Sequence, residues 1–114
     1  ALYYSFIYFN YETIKLLINH PNIDINHQDS QGQTALMHAC SELFFASSME
    51  NLKRNEKNEI IDILLKRKNI NVNKQNKVGM TALMYACNHF DYEAVILLLK
   101  HPDINVNLHD NYGS

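Results

Sequence analysis

The chain is poor in the residues that usually announce chemistry. Its 114 residues include only 3 glycines, 2 prolines and 2 cysteines. No two glycines lie near each other, so a glycine-rich phosphate loop is excluded. Two cysteines do not make a disulfide framework. The six histidines (His20, His27, His38, His89, His101, His109) form no His-x-x-x-His pair, and no Cys-x-x-Cys occurs. No metal site and no cofactor are expected from such spacings. No serine or cysteine has a neighbouring His–carboxylate pairing; Cys40 and His38 are close in sequence but on different helix faces. An enzyme with a small-molecule substrate is therefore not expected. The formal net charge of −2 argues against wholesale nucleic-acid binding. The apolar opening, Ala1 to Ile18, has no basic leader and is interrupted by Asn10, Glu12 and Lys15. It reads as neither secretory signal nor membrane span. With free thiols and no such signal, the expected setting is cytoplasmic.

What the chain does have is repetition. Thr34-Ala35-Leu36-Met37 returns forty-seven residues later as Thr81-Ala82-Leu83-Met84, each two positions after a glycine, Gly32 or Gly79. His20-Pro21-Asn22-Ile23-Asp24-Ile25-Asn26 matches His101-Pro102-Asp103-Ile104-Asn105-Val106-Asn107. Lys68-Asn69-Ile70-Asn71-Val72-Asn73 lies between them in the same frame. The two prolines are equivalent, as are Cys40 and Cys87, and Gly32, Gly79 and Gly113 share one slot. Units repeating at this period stack on their neighbours. Stacked units sit roughly 10 Å apart, beyond the Cα separation of about 7 Å that a disulfide tolerates. Both cysteines are thus expected as small buried core residues.

Each unit has the same parts. An Asp or Asn opens a turn whose glycine supplies positive φ: Asp29 to Gly32, Asn76 to Gly79, Asp110 to Gly113. Thr34 or Thr81 then caps a first helix. A second helix shows apolar residues at helical spacing: Ile14-Leu17-Ile18, Ile61-Leu64-Leu65 and Val95-Leu98-Leu99. Asn10 and Asp91 stand at its N-cap. An extended Ile-x-Ile or Ile-x-Val segment closes the unit.

This order of turn, helix, helix and extended return resembles the ankyrin repeat, about 33 residues long with the signature Thr-Pro-Leu-His-x-Ala. The matching residues are Thr34, Leu36 and Ala39, then Thr81, Leu83 and Ala86. Ala35 and Ala82 replace the proline, and Met37 and Met84 replace the histidine, so the family's Thr–His hydrogen bond is not expected. The resemblance implies an all-α solenoid of about three stacked helix pairs. The units run 1–28 (lacking its turn), 29–75, 76–109, and a turn at 110–114 that opens another. Starting and stopping inside units suggests a piece of a longer array. Leu2, Phe6 and their aromatic neighbours would then lack a covering repeat, and self-association through Ala1 to Phe9 is expected.

One irregularity interrupts the repeat. Gly79 to Gly113 spans 34 residues but Gly32 to Gly79 spans 47, so thirteen extra residues fall around Ser41 to Asn58. Leu36, Ala39, Cys40, Leu43 and Phe44 keep helical spacing, which predicts a first helix running at least to Phe45. Its counterpart should end near His89. The polar stretch after it reads as a tolerated solvated loop or as a partner-binding extension.

The resemblance also implies function: protein–protein recognition without catalysis, through turn tips and the concave face of the first helices. Carried over by position, the tips are Ser30, Gln31, Gln33, Lys77, Val78 and Met80. On the helices they are Ser41, Glu42, Asn88 and His89. The partner would be a protein that the sequence does not identify. An alternative is a regulatory or spacer segment of a larger multidomain enzyme or channel. A third reading uses the eight basic residues between Lys53 and Lys77 to touch phosphates. Glu50, Glu56, Glu59 and Asp62 lie beside and among them at helix-pair spacing, which favours a solvated face.

Overall fold

The computed structural model describes residues 11–41 and 54–111. Among these are five helices and no strand: α1 (Tyr11–Ile18), α2 (Ala35–Cys40), α3 (Arg54–Lys66), α4 (Ala82–Asn88) and α5 (Tyr92–Leu99). They form two layers. The short helices α2 and α4 pack on each other in the inner layer, and α3 packs on both α1 and α5 in the outer one. Within each unit the layers meet, α2 on α3 and α4 on α5.

Local chemistry starts three of the five helices. Oγ1 of Thr34 accepts from the Met37 amide, and Oγ1 of Thr81 from the Met84 amide, each at 3.3 Å. Both hydroxyls satisfy a first-turn donor that would otherwise be orphaned at a buried site. Asp91 caps α5, its Oδ1 accepting from the Ala94 amide at 3.2 Å. The methionines that replace the family's histidine are not inert. Sδ of Met84 accepts from the Thr81 amide at 3.4 Å, so a thioether completes the reciprocal cap.

The core is one continuous cluster running through all units. Ile14 and Ile18 of α1, Leu36, Ala39 and Cys40 of α2, Ile60, Ile61 and Leu64 of α3, Ala86 of α4, and Ala94 and Leu98 of α5 are all buried. Alanines at Ala39, Ala86 and Ala94 let backbones approach closely where layers meet.

Two expectations from sequence require correction. The inner helix of the middle unit stops at Cys40 rather than reaching Phe45. Ser41 takes an extended backbone (φ −87°, ψ 115°), and its amide reaches back to the His38 carbonyl at 3.3 Å. Apolar spacing identified a face but not the break, because serine offers the backbone little reason to stay helical. The described extension lies instead on the outer helix. Helix α3 has 13 residues against 8 in α1 and α5, beginning one turn earlier than its counterparts. Residues 42–53, with Leu43 to Phe45, lie outside the described residues, as do Gly113 and the aromatics of 1–10. The inner counterpart α4 ends at Asn88 with His89 as its cap, as expected. The second correction concerns Cys87, which is exposed while Cys40 is buried. The slot is the same, but α3 and the third unit enclose Cys40, and no described element covers Cys87.

Candidate functional site

The turn tips are densely hydrogen-bonded. In the first, the Gly32 amide donates to the Asp29 carbonyl at 2.9 Å, and the Asp29 amide to the Gln33 carbonyl at 3.0 Å. In the second, Gly79 and Asn76 repeat both bonds, the latter to Met80. Gly32 and Gly79 take φ of +78° and +82°, the left-handed conformation that the sequence predicted. The side chain of residue 29 or 76 braces its own tip. Oδ1 of Asp29 accepts from the Gln31 and Gln33 amides, both at 2.9 Å. Oδ1 of Asn76 accepts from Val78 and Met80 at 3.0 and 2.9 Å.

Each brace also reaches the inner helix. Nε2 of His38 meets Oδ2 of Asp29 at 3.0 Å, both side chains being largely buried. Burial alone would raise the Asp29 carboxyl. The Gln33 amide, the His38 ring and the Gln31 amide outweigh it and hold the pKa below its usual value. In the next unit Asn76 and Tyr85 occupy these slots, and Nδ2 of Asn76 donates to the Tyr85 hydroxyl at 2.8 Å. An ionisable contact is thus exchanged for a neutral one.

Successive units are tied by a polar ladder. The Lys77 amide donates to the Gln31 carbonyl at 3.1 Å, and the Asn111 amide to the Val78 carbonyl at 2.9 Å. Nε2 of Gln28 bridges the Gly32 and Gln75 carbonyls, and Nε2 of Gln75 bridges those of Gly79 and His109. Asn26 clamps the next unit, Nδ2 to the Asn69 carbonyl and Oδ1 from the Asn71 amide, both at 2.7 Å. Asn73 does the same to Asp103 and Asn105, both at 2.8 Å. The asparagine that closes each of the first two units is therefore a stacking clamp.

Against this frame the expected site residues separate. Ser30, Gln31, Lys77 and Val78 are exposed on neighbouring tips that the ladder holds side by side. Gln33 is half-buried, and its Oε1 accepts from Nδ2 of Asn76 at 2.5 Å and from the Tyr85 hydroxyl at 3.2 Å. Its amide therefore serves the frame. Met80 is also half-buried. Ser41 is half-buried at the end of α2, and Glu42 lies outside the described residues. Asn88 (exposed) and His89 (half-buried) stand at the far end of α4. That end is about 10 Å from the Thr81 cap at 1.5 Å per residue. Tips and helix ends thus form two groups along one inner face.

Sequence reasoning missed Phe90. It is exposed between α4 and α5 with φ of +55°, where a side chain is strained and glycine would not be. An aromatic immediately before the Asp91 cap is the signal that could have found it.

The histidines and basic residues are mostly spent on structure. Nδ1 of His20 accepts from the Asn22 amide and Nδ1 of His101 from the Asp103 amide, each at 3.1 Å. Among the described residues no three His, Cys, Asp or Glu converge as a metal ion would need. Arg67 caps α1, donating to the Ile18 carbonyl at 2.6 Å. Lys57 pairs with Asp91, and Lys66 with Asp62 at 2.9 Å. Lys74 reaches Oε1 of Gln28 at 3.4 Å. Among the described side chains of the basic run, Lys57, Lys66, Arg67 and Lys74 thus have partners, whereas Lys68 and Lys77 are exposed. No described helix is long and apolar enough to cross a membrane.

Comparison with known proteins agrees with this architecture. Two family models, each described as ankyrin repeats (many copies), match residues 2–54 and 64–114. The structure is similar to a crystal structure of EF0377, an ankyrin repeat protein, with a TM-score of 0.77 and 23% identity. All of this chain is covered but only 50% of that one, so the chain spans about half the length of its structural relative. No curated protein matches the sequence.

Proposed function

Because the chain belongs to the ankyrin repeat family, we propose that it is a non-catalytic module that recognises a protein partner through its turn tips. Ankyrin repeats are generally protein–protein interaction modules. One observation carries the reading for this chain. The tip backbones are tied into the ladder, while the side chains of Ser30, Gln31, Lys77 and Val78 stay exposed. A rigid backbone carrying unspent side chains loses little ordering entropy on binding. Gln33 and Met80 set the floor between the tips, and Asn88 and His89 extend the surface for a partner longer than about 10 Å. An intracellular setting is part of the reading, since both cysteines are free.

The test selects binders from a displayed domain library on the immobilised chain. Each is then measured against Gln31→Ala/Lys77→Glu/Val78→Asp and against a control pair on the outer layer, Glu12→Lys/Lys100→Glu. Loss of about tenfold or more for the tip variant alone, with unchanged thermal stability, is expected. Binders that ignore the tips and respond to the outer-layer pair would overturn the reading.

A further inference from the structure

A side-chain amide is oriented by what its two ends can bond, and one such chain of orientation crosses the seam between the two braced tips. Oδ1 of Asn76 accepts from the Val78 and Met80 amides at 3.0 and 2.9 Å. The other end is therefore Nδ2, a donor that needs acceptors. It finds them in Oε1 of Gln33 at 2.5 Å and the Tyr85 hydroxyl at 2.8 Å. That hydroxyl in turn donates to Oε1 of Gln33 at 3.2 Å. Turning the Gln33 amide over would set two donors, its own Nε2 and Nδ2 of Asn76, against each other. The turn of one unit thus fixes which way the amide of the preceding unit lies.

The oxygen of Gln33 serves the frame, but the nitrogen does not. Both bonds to its side chain end on Oε1. Among the described residues, Oδ1 of Asn58 is the one buried side-chain nitrogen or oxygen without a hydrogen bond. Nε2 of Gln33 is therefore not buried, and its N–H groups are open to a partner. Met80 holds the same slot in the next unit and has no such donor. The surroundings oppose ions of either sign. A carboxylate brought to Nε2 would meet the Asp29 carboxylate, whose Oδ1 lies 2.9 Å from the Gln33 amide nitrogen. A cation would meet the donor itself and exposed Lys77. It would also find the Asp29 oxygens already taken by the Gln31 and Gln33 amides and by His38. Helices α2 and α4, behind the tips, contain no Asp, Glu, Lys or Arg. The group that fits is an uncharged acceptor.

Resting on the reading of the tips as the recognition surface, we propose that Gln33 determines its specificity: Nε2 donates to a main-chain carbonyl of an uncharged partner segment laid across this seam. A main-chain carbonyl is the acceptor that every residue of such a segment supplies without a charge. Asn76 and Tyr85 are positioning residues, which set the donor before the partner arrives. A segment that offers a charge or a second donor at this point is rejected.

A displayed library of random-sequence peptides, selected on the immobilised 114-residue chain, tests this. Peptides lost on Gln31→Ala/Lys77→Glu/Val78→Asp are tip binders, and they should be depleted in Asp, Glu, Lys and Arg against the starting library. One of them, synthesised, should bind with a Kd that changes less than about twofold between about 0.05 and about 0.5 M salt. Gln33→Glu keeps an oxygen for Asn76 and Tyr85 but turns an acceptor outward. Its melting temperature should match wild type while its affinity for the peptide falls about tenfold or more. Ester replacement of each peptide bond in the probe weakens one carbonyl at a time. One position should weaken binding to wild type and leave binding to Gln33→Glu unchanged, the coupling that a direct contact requires. If the variant melts lower, the composition of the wild-type pool and its salt response still decide. Tip binders rich in charge, affinity untouched by Gln33→Glu, or ester effects equal in both proteins overturn the proposal and leave the tip reading intact. A selection in which no peptide depends on the tips overturns the tip reading itself.

Discussion

The Asn105 amide donates to Oδ1 of Asn73 at 2.8 Å, and this bond crosses the seam between two repeats. The same side chain donates from Nδ2 to the Asp103 carbonyl, so one residue closes two backbone valences of its neighbour. Asn73→Ala should cost about 1 kcal/mol of stability, the ordinary net worth of such bonds at a wet site. Asn73→Asp keeps the acceptor, loses the donor and should fall between. Urea midpoints of the three proteins rank them; equal midpoints would show that the seam is held by apolar packing alone.

Gly79→Ala should be more damaging than its left-handed conformation alone requires. A Cβ there would lie 2.8 Å from the Asn111 amide nitrogen and 3.0 Å from Cα of Asp110, both backbone atoms of the next tip. The cost should exceed about 1 kcal/mol and act on the seam as well as the turn. A melting midpoint within a degree of wild type would refute this.

The two cysteines should differ sharply as reagents. Cys87 is exposed and Cys40 is fully buried, its thiol pushed up to about 12 by desolvation, against which Lys57 acts only weakly. Thiol titration should find one rapid group in the folded protein and two in denaturant. A sign follows for alkaline pH. The unfolded thiol ionises near about 8.5 while the folded one stays protonated. Stability should therefore decline as pH rises from that value toward 12, and Cys40→Ala should remove that part of the decline.

Of the two tips described in full, acid should act on the first only. The Asp29 pKa is lowered in the folded state, so its contribution is present above the unfolded value near 3.8 and is lost as pH falls through the folded one. Asn76 holds the equivalent slot and does not titrate. Asp29→Asn should flatten the acid limb of a stability-versus-pH curve, and an unchanged limb would place the acid sensitivity elsewhere.

Phe90→Gly should stabilise the protein. The φ of +55° is costly for a side chain, and at 79% exposure the ring gives little packing in return. A gain of about 1 kcal/mol would raise the melting temperature by about 4 °C. A lower melting temperature would mean the ring packs better than its exposure implies.

Much of the architecture was legible because it rests on few residue types in fixed slots. Thr34, Thr81 and Asp91 each announced a cap, and the glycines at 32 and 79 announced their turns. The recurrence of these slots at one spacing carried the stacked fold. What escaped detection depended on neighbours in space. Ser41 ends α2 through its backbone angles, which apolar spacing does not encode. Cys87 shares a slot with Cys40, yet burial is set by what stacks above it rather than by the slot. Gln33 looked like a tip residue, and only its contacts with Asn76 and Tyr85 from the next unit show it serving the frame. The fourteen-residue reach from Ser41 into α3 hid the outer-helix extension for the same reason: polar residues can be a loop or an exposed helical turn.

Helix α3 is the strut of the array, about 20 Å long at 1.5 Å per residue. Its first seam is latched just past its C-terminal end, where Arg67 holds the Ile18 carbonyl of α1. Its second is latched in its first turn, where Lys57 pairs with Asp91 at the start of α5. The latches sit at opposite ends of one rigid rod. Lys15 of α1 adds a tie at 3.3 Å to Glu59 in the middle of the same rod, so sliding α1 or α5 along α3 would break at least one charged contact.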